Sequence, residues 1–223
     1  MSPADTTPSA AHASRQPAPL AEVEMAKSLA RPEVRALREQ LLQQSHVIQL
    51  TSFVHRLRET VGQGFMIPNF DPLDGGTEAE VLFLLEAPGP KAIASGFVSR
   101  DNPDESAKNF LLANAAAGID RRRTVTWNIV PWYIGSGRKI RPACAEDIRP
   151  AVHWLRELLL LLPRLRFAVC VGVKARHAKD LIEAFRPEVQ MLEMPHPSPM
   201  FVNRAPGNRA KLQRALSELS SRL

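Results

Sequence analysis

An α/β fold, with a parallel sheet layered between helices, is what this sequence predicts, and three observations predict it. Apolar runs at residues 81–85, 124–130, 167–172 and 189–194 have the length and composition of buried strands. Stretches of helical length with a one-sided apolar stripe separate them. The two patterns alternate four times, and repeated βα units bring strands together in parallel with helices on the faces.

Each element can be justified in turn. Residues 1–20 are rich in Ser, Ala, Pro and Thr without periodic apolar positions, which predicts a disordered tail ahead of a single domain over 21–223. Val34, Leu37, Leu41, Leu42, Val47 and Leu50 recur at near-helical spacing and predict one or two helices over 32–61. Turn residues crowd 62–76, so a long irregular connection is expected there, lying across the mouth of the site or, the preferred reading, wrapping the domain surface. Strand 81–85 leads to a helix over 104–117, with Gly118 at its C-cap. Strand 124–130 leads to a helix over 145–162, which Pro163 stops. Strand 167–172 leads through Gly172 to a helix over 174–185, and strand 189–194 leads to a terminal helix over 208–223.

A net charge of +6 in 223 residues, with Arg far outnumbering Lys, favours a polyanionic partner, although an arginine-rich proteome would give the same sign. Arg121, Arg122 and Arg123 precede one strand, Arg138, Lys139 and Arg141 follow it, and Arg204 and Arg209 trail the last; basic residues at strand ends are expected to meet phosphates. Cys144 and Cys170 have neither Cys-x-x-Cys spacing nor a histidine at zinc-finger distance, so no metal is expected, and Cys170 reads as core. No apolar run is long enough to span a membrane and no secretory signal is readable, so a reducing cytoplasm is the expected compartment. His55, His153 and His177 sit in helical patterns and read as surface or structural, and Trp127, Trp132 and Trp154 as core or pocket wall.

The chemistry concentrates in a few loops. Pro195-His196-Pro197-Ser198-Pro199-Met200-Phe201 follows a strand, and its three prolines make a stiff loop that continues neither strand nor helix. It presents one histidine and one serine, with two bulky apolar residues beyond, which suits work on a base in DNA; a proline-rich turn with a surface histidine fits the same residues. Strand 81–85 runs into Glu86-Ala87-Pro88-Gly89-Pro90, and sites in open α/β sheets collect on loops of this kind. Gly96-Phe97-Val98-Ser99-Arg100 sets a ring in a loop, and Asn128 stands among apolar neighbours late in a strand.

In this order the motifs resemble the uracil-DNA glycosylase superfamily, over roughly Val81 to Arg209. The resemblance implies a three-layer α/β/α sandwich around a central, mainly parallel four-stranded sheet. It also implies a DNA repair glycosylase that hydrolyses the N-glycosidic bond of uracil in single- or double-stranded DNA, releasing uracil and leaving an abasic site. By the same resemblance Asn128 reads uracil, Phe97 stacks on the flipped ring, and Ala87, Pro88 and Gly89 shape the pocket. His196 donates to the base as it leaves, Ser198 and Arg204 meet the backbone, and Met200 and Phe201 fill the vacated stack. A monomer without cofactor is expected, since two cysteines cannot hold the iron–sulfur cluster of some branches. The best-known branch has a water-orienting aspartate followed by Pro-Tyr where this chain reads Ala87-Pro88-Gly89. Glu86 is the first candidate to replace that aspartate and Asp101 the second. A non-catalytic binder of damaged or single-stranded DNA, and a nucleotide-binding α/β protein, are the alternatives.

Overall fold

The computed structural model describes residues 25–136 and 140–223; the tail expected at 1–20 and the basic pair Arg138 and Lys139 lie outside the described residues. Its strands are β1 (Asn69–Phe70), β2 (Val81–Leu85), β3 (Phe97–Val98), β4 (Thr124–Asn128), β5 (Phe167–Val171) and β6 (Gln190–Met194). Its α-helices are α1 (Pro32–Gln40), α2 (Ile48–Val61), α3 (Pro90–Ser95), α4 (Glu105–Ala116), α5 (Ala145–Leu160), α6 (Lys179–Phe185), α7 (Pro199–Val202) and α8 (Asn208–Ser220). Among the described residues no helix is long and apolar enough to cross a membrane.

Four strands form an all-parallel sheet in the order β4-β2-β5-β6. Successive side chains of a strand face opposite ways, so a strand buried on both sides is apolar throughout. Leu82, Leu84, Ala168 and Cys170 join one core with Phe53, Leu57, Leu155 and Leu158, under α2 and α5. Val81, Phe83, Phe167 and Val169 join a second core with Phe110, Leu212 and Leu216, under α4 and α8. Helices on both faces complete the α/β/α sandwich. The chain leaves β2 for β4 on one side and returns to β5 on the other, so loops diverge between β2 and β5 at the carboxyl end of the sheet, where ligands bind in such folds.

The connection over 62–76 departs from expectation. From Ile67 to Thr77 it is almost wholly buried, and β1 pairs in parallel with β3. Its acids explain why a polar segment goes inside. Asp71 and Asp74 join Asp101 in a buried cluster with Arg38, Arg100 and Arg121. Arg121 reaches all three carboxylates: Asp101 at 2.8 Å, Asp74 at 2.8 Å, and Asp71. Arg38 binds Asp71, and Asp101 at 3.0 Å. Burial raises the Asp71 carboxyl, but Arg121 and Arg38 outweigh it and hold the group well below the usual range. Truncating one member of such a cluster strands a buried charge. Arg38→Met should therefore destabilise the fold by about 3–5 kcal/mol in urea unfolding, while a loss below about 1 kcal/mol would show that the cluster is not holding the fold.

Candidate active site

A pocket of about 430 Å3 opens at the carboxyl ends of β2, β4 and β6. After β2 the chain contributes Ala87, Pro88 and Gly89, and Pro90 then starts α3, a position where the missing N–H costs nothing. β2 and β4 are paired in register to their ends, so Asn128 sits beside Leu85, at the mouth of the Glu86 turn. Past Asn128 the backbone stays bound to that turn, since Ile129 donates to the Leu85 carbonyl at 2.8 Å and Val130 to that of Glu86 at 3.0 Å.

Asn128 lines the pocket and is 3% exposed, yet its side-chain Nδ2 has no hydrogen-bond partner. Thr126, two residues earlier and on the same face of β4, also lines the pocket with its Oγ1 buried and unpartnered. Arg100 adds an unpartnered buried Nε, with its guanidinium on Thr124 and over the Phe110 ring. A buried donor left unmade costs about 1–3 kcal/mol, so three such groups around one cavity suit a polar ligand that supplies their partners.

His196 faces the same pocket, half-buried. The amide of Ser198 donates to its Nδ1 at 3.1 Å, so a neutral ring carries its proton on Nε2. Burial lowers its pKa below the usual 6.5, with the charge of Asp104 acting weakly the other way. Behind the ring lies Gly172, at φ +84°, where an added Cβ would come within 3.2 Å of the His196 Cβ. The loop is also tied to α4, whose Asn109 donates to the Pro197 carbonyl at 3.0 Å.

Three expected site residues are placed elsewhere. Phe97 does not line the pocket; it is fully buried among Leu29, Val34, Leu42 and Leu73, because alternation along β3 turns its neighbour Val98 to the cavity instead. Glu86 does not line it either: its carboxylate accepts from the Ala143 amide at 2.6 Å, pinning the segment that enters α5. Asp101 does not line the pocket; it is fully buried, with its carboxylate on Arg38 and Arg121.

The acid that sequence reasoning missed is Asp104. Among the described residues it is the one carboxylate lining the pocket. It caps α4, its Oδ1 accepting from the Ala107 amide at 2.9 Å. A preferred N-cap residue at an expected helix start, just after the Phe97 loop, was the available signal.

The proposed DNA contacts lie outside the pocket. Ser198 caps α7, accepting from the Phe201 amide at 3.3 Å. Met200 is 82% exposed, whereas Phe201 is half-buried against the α8 core. Arg204 and Arg209 are exposed. Arg121 and Arg123, expected to meet phosphates, are instead engaged by carboxylates, Arg123 by Glu80 at 2.7 Å, and Arg141 holds Asp147. Trp127, Trp132 and Trp154 are buried, with Trp127 stacked on Phe70 at 3.7 Å.

Comparison with known proteins bears on what this pocket belongs to. No curated protein matches the chain. A solution NMR structure from Methanosarcina acetivorans, provisionally described as a uracil DNA glycosylase, is similar with 16% identity and a TM-score of 0.46, covering 66% of this chain and 93% of that one. The crystal structure of Pedobacter heparinus SMUG2 is similar with 15% identity and a TM-score of 0.48, covering 65% and 74%. The model of the uracil DNA glycosylase superfamily matches residues 72–220, more than half of the chain and all of the pocket-bearing sheet. The chain therefore belongs to the uracil DNA glycosylase superfamily.

Proposed function

We propose that the protein removes uracil from DNA by hydrolysing its N-glycosidic bond. The observation that carries this reading is the buried, unpartnered Nδ2 of Asn128 in a pocket that also presents His196. A carboxamide there donates to uracil O4 through Nδ2 and accepts from N3–H through Oδ1. Cytosine presents the opposite pattern at both atoms, and each mispaired buried group costs about 1–3 kcal/mol.

Bond cleavage leaves a cationic sugar and a uracil anion. The His196 Nε2–H donates to uracil O2 as that charge develops, and a preorganised donor contributes on the order of 3 kcal/mol. Neutrality suits this role, because a neutral donor stabilises the anion without surrendering its own proton. Asp104 orients water towards C1′ and offsets the sugar's positive charge, a role supported by its being the one carboxylate that lines the pocket among the described residues. Water adds to C1′ and gives up a proton, the C1′–N1 bond breaks, and the departing base takes a proton from solvent. The exposed Met200 is the group that fills the vacated stack, and the exposed Arg204 meets the backbone.

Single-turnover excision from a uracil-containing oligonucleotide, with alkali to cut the abasic product, tests these roles. Asn128→Ala and His196→Ala should each lose at least about tenfold while unfolding as the parent does. Asp104→Asn should lose about 10²-fold or more. If Glu86→Gln is crippled while Asp104→Asn matches the parent, the carboxylate is misassigned.

The charge state of His196 is open to a direct check by NMR titration of the imidazoles. Its midpoint should fall below the usual 6.5, with the proton on Nε2 at neutral pH. A lowered pKa means that the unfolded chain takes up the proton first. Stability from this group is therefore complete above pH 6.5 and declines as the pH falls from there to the folded midpoint. A midpoint above 6.5 would contradict the neutral donor.

A further inference from the structure

A second hollow opens beside the first. Its volume is about 510 Å3, its walls include Phe65, Trp132, Tyr133, Arg141 and Asp147, and Ile140 is common to both cavities. Two stretches of chain meet here: the connection after α2, which carries Phe65, and the segment after β4, which carries Trp132. The Tyr133 amide donates to the Met66 carbonyl at 2.9 Å and joins them. Phe65 packs edge-on against Trp132, ring centroids 5.3 Å apart and planes at 66°. Trp132 is only 4% exposed, so it holds the Phe65 ring in a fixed attitude while 45% of Phe65 stays exposed.

Leaving a large ring in water forgoes the stabilisation that burial would bring, and here the ring belongs to a segment that is buried from Ile67 onward. Arg141 stands in the same hollow with its side chain 54% exposed, its guanidinium braced on Asp147 at 2.6 and 2.7 Å. An exposed ring accepts the face of any nucleobase, and a braced guanidinium answers a phosphate. An apolar peptide would use the ring but gain nothing from the cation. Continuity with the base pocket through Ile140 favours the strand that delivers the base.

We propose that this hollow receives the nucleobase adjacent to the extruded nucleotide, stacked on Phe65 with Arg141 against the intervening phosphate. The proposal rests on reading the first cavity as the base pocket. A neighbour still stacked in a duplex cannot reach Phe65, so the site selects single-stranded or locally unpaired DNA.

The test is binding, followed by fluorescence anisotropy, of single-stranded oligonucleotides that carry uncleavable 2′-fluoro-2′-deoxyuridine. The nucleotide on its 5′ side, or on its 3′ side, is either natural or abasic. For the parent protein an abasic neighbour on one side should weaken binding at least about fivefold, the low end of what base–aromatic stacking contributes. Phe65→Ala should bind the natural oligonucleotide as weakly and be indifferent to the abasic change, and Phe65→Trp should restore the contrast. Indifference of the parent to both abasic positions, or parent-like binding by Phe65→Ala, would overturn the proposal. Failure of the parent to excise uracil would refute the first pocket's assignment instead, and the neighbour contrast, read from binding alone, still decides the second.

Discussion

The buried cluster of Arg38, Arg100, Arg121, Asp71, Asp74 and Asp101 is the constraint on which the rest of the molecule depends. It gathers α1, the connection around β1, the loop after β3 and the segment before β4. Six charges out of water are tolerable only when each is met by partners of opposite sign, so the cluster admits essentially one arrangement of these segments. Arg121 shows how tightly it is met: burial works against its charge, yet the three carboxylates around it raise its pKa above the ordinary arginine value. The pocket inherits that rigidity. Arg100 belongs both to the cluster and to the pocket wall, and Asp101 anchors the loop three residues before Asp104.

The His196 loop is set by different means. His196 is held by prolines on both sides, by the Ser198 amide on its Nδ1, by Gly172 at its back and by Asn109 on the Pro197 carbonyl. These fix the backbone of the loop, the Nδ1 of the ring and the back of the side chain, and none of them engages Nε2. Asn128 lines the pocket because the β2–β4 register carries it to the sheet end beside Leu85. His196, Asp104 and Asn128 thus line one cavity, and the proposed reaction draws on all three.

Much of this was legible in the residues, and what was not has a common cause. Buried parallel strands are apolar on both faces, so β2, β4 and β5 announce themselves locally, and the proline-bound histidine loop does the same. The position of Asn128 and of Ala87, Pro88 and Gly89 on the pocket follows from their being at strand ends. That Phe97, Glu86 and Asp101 do not line the pocket was not legible, because the direction and partners of a side chain are tertiary facts. The partners of Asp101 lie 63 and 20 residues away, and that of Glu86 lies 57 away. The connection over 62–76 read as surface for the same reason: its acids look solvated until the arginines that meet them are in place. Asp104 was hidden differently, behind an ordinary capping role that it also performs.

The measurement that bears most directly on the central claim is an NMR titration of the protein with free uracil, the product that the pocket should hold. The Asn128 side-chain amide and the His196 Nε2–H should shift together and saturably, with cytosine producing neither change. Uracil that leaves both signals in place, or moves them no more than cytosine does, would contradict the account.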